Sequence, residues 1–397
     1  MSVLESPAKS PRPRLLFVIN ESYFFVSHRL PVARAAQSAG FEVHVAAPPD
    51  HVWAPPGFSV EQLTRLGFAF HPVPMSRRGM NPLQEAKTLV SLFILVWRLR
   101  PQVAHLITIK PNLYGGVVAR LLRVPSVTFA VTGLGHLYIG RRTSTAVVRS
   151  VVNRLLRFSL NHSNSRVIFQ NPDDRKYLVE RGVTQAARAV VILGSGVDLS
   201  RFVVHPEPAG PPVVILGARL IWDKGVEEFV AAARILKAQG VVGRFVLAGD
   251  TQPSNPRSVP SATIQGWVDE GVLEWWGYRS DMEVVLAAAS VVCLPSTYGE
   301  GVPKILLEAA ASGRPIVTTD LPGCRETVRD GVTGVLTRPG DVNGIADALR
   351  GLLEDPGLRR RMGEAGRKLA EERFDDLNIA RQTLRVYEQL SEQKPVC

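Results

Sequence analysis

Two glutamates eight positions apart, Glu300 and Glu308, carry the clearest chemical signal in this chain of 397 residues. They lie in Tyr298-Gly-Glu-Gly-Val-Pro-Lys-Ile-Leu-Leu-Glu308-Ala-Ala-Ala-Ser-Gly313, which leads into the β-type run Ile316 to Thr319. Gly299 and Gly301 flank the first glutamate, and Pro303 favours the first turn of a helix. The unpaired N–H groups at such a helix start suit a diphosphate. Glu308, more than a turn further in, can accept hydrogen bonds from ribose hydroxyls. Glu300, with the Gly301–Val302 backbone, stands where a sugar joined to the diphosphate would project.

A second set lies upstream. In Gly217-Ala-Arg219-Leu-Ile-Trp-Asp-Lys224-Gly225, a glycine and two cations follow a strand-like run. Arg219 offers a planar fork and Lys224 a point charge to the same diphosphate. Gly277-Tyr278-Arg279-Ser-Asp281-Met282 precedes another helical run, and Asp281 is placed to cap it.

These stretches resemble the E-x7-E, R-x4-K-G and G-x3-D-[ML] motifs of retaining glycosyltransferases of family 4. Gly194-Ser-Gly-Val-Asp198 resembles the segment at that family's domain junction. The resemblance implies a GT-B fold, with two Rossmann-like, doubly wound parallel-sheet domains facing a central cleft. It implies Arg219, Lys224 and Glu300 as catalytic residues. Tyr278, Arg279, Gly301, Val302, Pro303 and Glu308 complete the donor site, the backbone around Tyr278 and Arg279 lining the base pocket. It also implies a nucleotide-diphosphate sugar, UDP-linked, as co-substrate, and neither cofactor nor metal, because the cations meet the departing charge.

The acceptor side is less sharply marked. Asn20-Glu-Ser-Tyr23-Phe-Phe-Val-Ser27-His28-Arg29 follows the first strand-like run without the glycines of a dinucleotide loop. Its Ser-His-Arg triplet, the His105–Tyr114 stretch with Lys110 and Asn112, and Thr132-Gly133-Leu-Gly-His136 are similar to members that extend polyprenyl-diphosphate-linked saccharides. Tyr23, Ser27, His28, Lys110, Asn112, Gly133 and His136 are the candidates there. His28, His105 and His136 all compete for the role of acceptor-site histidine. A nucleotide-sugar 2-epimerase of the same fold, or a non-catalytic binding or scaffold protein, are the alternatives.

The elements needed to position these residues are legible. Short β-type runs alternate with helical ones from Arg14 to Leu193 and again from Val213 to Leu336, which indicates parallel sheets of βαβ units. A segment with four prolines and a glycine, 206–212, separates the series. Residues 1–195 are therefore read as the acceptor domain and 196–376 as the donor domain. A C-terminal helix over about 377–397 is expected to pack back on the first. Ligands of such sheets bind beyond the carboxyl ends of the strands, here the interdomain cleft.

Composition narrows the setting. The net charge of +11 is uneven, because residues 1–195 hold 24 Lys/Arg against 9 Asp/Glu, and no acid occurs between Glu85 and Asp173. An anionic membrane surface explains this better than nucleic acid, for which no motif is present. The apolar helical run Pro82–Leu99, beside Arg77, Arg78, Arg141 and Arg142, could dip into that interface. No segment reaches the roughly 20 apolar residues of a membrane span, and no leader is evident. Cys293, Cys324 and Cys397 form no disulfide framework. The expected location is the cytoplasm, peripheral on the inner face of the membrane.

Overall fold

The computed structural model describes residues 12–49, 58–76, 81–134 and 143–392. The first half runs β1 (Arg14–Ile19), α1 (Ser22–Ser38), β2 (Glu42–Ala47), α2 (Glu61–Arg65), β3 (Ala69–Pro72), α3 (Pro82–Leu99), β4 (Val103–Ile107), α4 (Ile109–Leu121), β5 (Ser126–Val131), α5 (Thr143–Leu160), β6 (Ser165–Phe169), α6 (Pro172–Glu180) and β7 (Ala189–Val191). The second runs β8 (Val213–Gly217), α7 (Val226–Ala238), β9 (Arg244–Ala248), α8 (Ser261–Asp269), β10 (Glu274–Gly277), α9 (Met282–Ala287), β11 (Val291–Leu294), α10 (Lys304–Ala311), β12 (Ile316–Thr319) and β13 (Gly334–Thr337). Helices α11 (Val342–Glu354), α12 (Pro356–Arg373) and α13 (Asp376–Glu392) close the chain.

Two sheets result, β3-β2-β1-β4-β5-β6-β7 and β10-β9-β8-β11-β12-β13, with every pair parallel. The order reverses beside β1 in one and β8 in the other, so each sheet opens a crevice at its carboxyl edge. Strands buried on both faces read as continuous apolar runs, as in Leu15–Ile19 and Val213–Leu216, all at most 5% exposed. Cys293 is packed in β11 as a small hydrophobe, and Cys293 and Cys324 are unbridged.

The C-terminal helix α13 returns to the first sheet. Ile379, Val386 and Leu390 pack against Ile168 and Ile192, and Ala380 and Tyr387 enter the core beneath α1. The Tyr387 hydroxyl bonds His105 Nδ1 at 2.5 Å in β4. His105 is 1% exposed, so it serves the core and leaves the contest for a cleft histidine. Two strand-like segments cross between the halves: Val197 N–H donates to Phe374 O and Asp376 N–H to Val197 O.

Several expected elements differ. Helix α1 was expected from Arg29; it starts at Ser22 and carries Pro31 inside. Helix α4 starts at Ile109, four residues before the expected Leu113. The strand expected at Val272–Trp275 lies at Glu274–Gly277, and α2 and α8 were not foreseen. Asp281 does not cap α9 through its side chain; its carboxylate is held by the Arg279 fork at 2.7 and 2.6 Å.

Helix α3 exposes Leu83, Val90, Phe93, Ile94 and Trp97 while burying Leu92 and Val96. Among the described residues no helix is long and apolar enough to cross a membrane.

Because Tyr387 is fully buried and joins α13 to β4, Tyr387→Ala should cost about 3–5 kcal/mol through the cavity it leaves. Tyr387→Phe should cost only about 1 kcal/mol. Urea unfolding of the two variants checks this ordering.

Candidate active site

Both halves of the predicted donor site meet at the carboxyl edge of the second sheet. The loop after β8 presents Arg219 and Lys224, and the loop after β11 presents Glu300 at the start of α10. Lys224 forms an ion pair with the Glu300 carboxylate, and each side chain is 11% exposed. Ser296 Oγ donates to the other carboxylate oxygen at 2.6 Å. Glu300 is thus aimed by two donors, neither visible in the E-x7-E spacing. Arg219 is exposed and lines the cleft, where it forms no ion pair with a described carboxylate.

Pro303 precedes α10 as its N-cap, one position outside the turn in which the sequence placed it. Glu308 sits in the second turn, 7% exposed, and burial raises its pKa above the usual carboxylate range. Its nearest cation is Lys304 Nζ at 3.6 Å. Tyr278, 41% exposed, stands after β10 near Tyr23 of the opposite domain.

The cleft between the domains encloses a cavity of about 490 Å3. Asn20, Thr108, Lys110, Thr132 and Gly133 line it from one side, and Arg219, Arg257 and Tyr298 from the other. Asp223, also in the lining, is held by Arg257 at 2.7 and 3.1 Å. Thr108 has φ 77° and ψ 171°, a region nearly restricted to glycine, so strain is stored where β4 enters the cleft.

On the acceptor side, Ser27 Oγ lies 2.7 Å from His28 Nδ1, and the imidazole stacks on Phe24 with centroids 3.9 Å apart. Burial first, then Lys304, Arg29 and Arg219, hold the His28 pKa well below its ordinary value. A neutral imidazole facing the donor-side cations can accept a hydrogen bond from a hydroxyl. His136 lies outside the described residues. Lys110 is committed to Glu85 at 2.5 Å within its own domain, although it still borders the cavity. Asn112 does not reach the cleft: it is 1% exposed and donates to Ala130 O, so it holds α4 to β5. Tyr23 packs edge-on against Phe58.

The domains touch at the Glu300–Gly301 backbone. Asn171 Nδ2 donates to Glu300 O at 3.1 Å and to Gly301 O at 3.3 Å. A Cβ at Gly301 would fall 2.2 Å from Gln170 Oε1 and 2.5 Å from Thr132 O, and Gly133, at φ 116°, lies against the same peptide. Lys304 Nζ donates to Ser27 O at 2.9 Å, a second contact across the cleft. Sequence reasoning missed Ser296, Asn171, Gln170 and Lys304. Only Lys304 left a signal, since a cation in the first turn of a helix opposes the dipole unless something else requires it.

Two outcomes are expected. Lys224→Met should destabilise by about 3 kcal/mol, because it strands a buried carboxylate. Adding Glu300→Gln should recover part of that loss, and denaturant titration of the three variants reads the coupling. Asp174, which accepts from Asn171 at 3.1 Å, has its pKa pushed up to about 6 by burial. A raised carboxyl pKa contributes stability at low pH that is lost as pH rises through about 6. Asp174→Asn should therefore raise Tm at pH 8 and leave it unchanged near pH 4.

Comparison with known proteins follows this division of the chain. A model described as "Glycosyl transferases group 1" matches residues 211–355, and one described as "Glycosyl transferase 4-like" matches residues 14–171. The chain is 26% identical over 390 residues, 95% of it and 99% of the relative, to N,N'-diacetylbacillosaminyl-diphospho-undecaprenol alpha-1,3-N-acetylgalactosaminyltransferase of Campylobacter jejuni. It is 24% identical to the Escherichia coli UDP-Gal:alpha-D-GlcNAc-diphosphoundecaprenol alpha-1,3-galactosyltransferase, covering 72% of this chain and 75% of that one. In structure it is similar to a sucrose-phosphate synthase from Thermosynechococcus elongatus, with TM-score 0.77, 22% identity, and 96% and 100% of the two chains covered. It is also similar to Anabaena HepE in complex with UDP and glucose, with TM-score 0.72, 19% identity, and 94% and 99% covered. Matched in both halves by models of one enzyme class, and alike over nearly its full length to a curated member of it, this chain belongs to the group 1, 4-like glycosyltransferases.

Proposed function

We propose that this glycosyltransferase moves a hexose or N-acetylhexosamine from a UDP-linked sugar to a lipid-diphosphate-linked saccharide, with retention of configuration, in cell-surface polysaccharide assembly. One observation carries the reading. Lys224 pairs with Glu300 just before α10, the second turn of that helix carries buried Glu308, its Lys304 reaches Ser27 beside the neutral His28, and Arg219 lines the cleft. The printed activities of the Campylobacter and Escherichia coli relatives support the acceptor class, and the UDP-bound neighbour supports the nucleotide.

The diphosphate would lie against the N–H groups of α10, with Arg219 on one side and the Lys224 ammonium on the other. Glu308 would accept from the ribose. Glu300, held by Lys224 and Ser296, would accept from sugar hydroxyls and fix the anomeric carbon towards the first domain. The acceptor hydroxyl attacks that carbon from the face the diphosphate leaves. The C–O bond to phosphate breaks as the new glycosidic bond forms, and a departing phosphate oxygen takes the acceptor proton. Arg219 and Lys224 offset the charge that develops, so we expect no metal requirement. The cation-rich first half and the apolar residues exposed on α3 support a site of action on the anionic inner face of the membrane.

The test is nucleotide release with membrane lipid extract and UDP-GlcNAc, UDP-GalNAc, UDP-glucose or GDP-mannose supplied separately. One donor should give acceptor-dependent release that a chelator leaves unchanged. Lys224→Ala should lower kcat by about 100-fold or more, and Glu308→Ala should lower kcat/KM by roughly 10- to 100-fold. Conversion of a donor without acceptor would establish an epimerase instead, and binding without turnover a scaffold. Binding to anionic vesicles should weaken with salt.

A further inference from the structure

Proline inside α1 and lysine at the start of α10 have one explanation in common. An α-helical residue at position 31 would donate its N–H to the carbonyl of Ser27. Pro31 has no N–H, so that carbonyl is left for another donor. Lys304 Nζ supplies it at 2.9 Å from the opposite domain. The same ammonium stands 3.6 Å from the Glu308 carboxylate, one helical turn along α10. Ser27 in turn meets His28 through its hydroxyl, and His28 is stacked on Phe24. A continuous set of contacts thus runs from the ribose-binding position of the donor domain to His28, the one candidate histidine among the described residues that adjoins the contact across the cleft.

Resting on the function proposed above, we propose that Lys304 is a positioning residue that transmits donor occupancy to the acceptor side. In the empty cleft its ammonium is shared between Glu308 and Ser27 O. A ribose hydroxyl donating to Glu308 competes with Lys304 for the carboxylate. The ammonium then bonds Ser27 O more fully and draws α1 onto the donor domain. His28 is thereby set against the acceptor hydroxyl once the donor is in place. Donor binding strengthens acceptor binding, and by reciprocity the acceptor strengthens donor binding by the same factor. Pro31 keeps the receiving carbonyl open.

The experiment combines hydrogen exchange and kinetics on the full chain, with UDP and GDP as nucleotide probes. In the unsubstituted protein, saturating nucleotide should slow amide exchange in residues 22–31 several-fold. Lys304→Met should abolish that slowing while nucleotide Kd changes less than about threefold. Acceptor KM should rise about tenfold, a coupling of ordinary size, and donor KM should change little. Lys304→Arg, which can still span both partners, should restore most of the effect. Pro31→Ala restores an N–H that competes for Ser27 O. It should raise Tm, raise acceptor KM, and add little to Lys304→Met. If nucleotide binds and sugar is transferred, but Lys304→Met keeps both the protection of α1 and the acceptor KM, the positioning role is wrong and the transferase reading stands. If neither nucleotide binds the unsubstituted protein, the reading fails and the inference with it.

Discussion

The structure turns on a peptide with no room beside it. Glu300–Gly301 passes between the two domains, bounded by Thr132, Gly133 and Gln170 on one side and by Gly323 on the other, where a Cβ would meet Gly301 O at 1.9 Å. Asn171 takes both of its carbonyls. With the backbone fixed from both domains, the Glu300 carboxylate has one direction to take, towards Lys224 and Ser296. A side chain at 301 would force the domains apart and release that carboxylate together. Catalytic orientation and domain closure are therefore one constraint, and glycine meets it because it lacks a Cβ.

The remaining cross-cleft contacts depend on this one for their reach. Lys304 spans to Ser27, and Tyr278 to Tyr23, only because the domains are already in contact at 301. The crossing segments at Val197 and Asp376 and the return of α13 onto the first sheet also hold the two halves together. Gly196 is required there, since a Cβ would come within 2.5 Å of Asp376 Cα. The halves are thus joined covalently and by packing, and across the cleft by a few polar contacts.

Electrostatics divide along the same line. The second half has a slight excess of acids, and three of its cations, Arg219, Lys224 and Lys304, stand in the loop after β8 and at the start of α10. The first half carries a general excess of cations and excludes acids over most of α3, α4 and α5. In the first case charge is focused at the carboxyl edge of one sheet. In the second it is spread over an outer helical layer that also leaves Phe93, Ile94 and Trp97 exposed.

The amino-acid sequence by itself determined the two series of parallel strands, because strands buried on both faces are continuous apolar runs bounded by turns, and Leu15–Ile19 or Val213–Leu216 allow little else. It also singled out Arg219, Lys224, Glu300 and Glu308 as one candidate set, since they sit at spacings that a loop and a helix start impose locally. Tertiary structure decided what is paired across long separations. It put His105, in the middle of β4, under α13, and His28, inside α1, beside the contact with Lys304. It set Pro31 inside α1, where the missing N–H is answered by Lys304, 273 positions away. It withdrew Asn112 into the sheet and tied Lys110 to Glu85. Residue type states what a side chain can donate or accept. Which partner is within reach is a property of the packed chain, and local spacing carries no record of it.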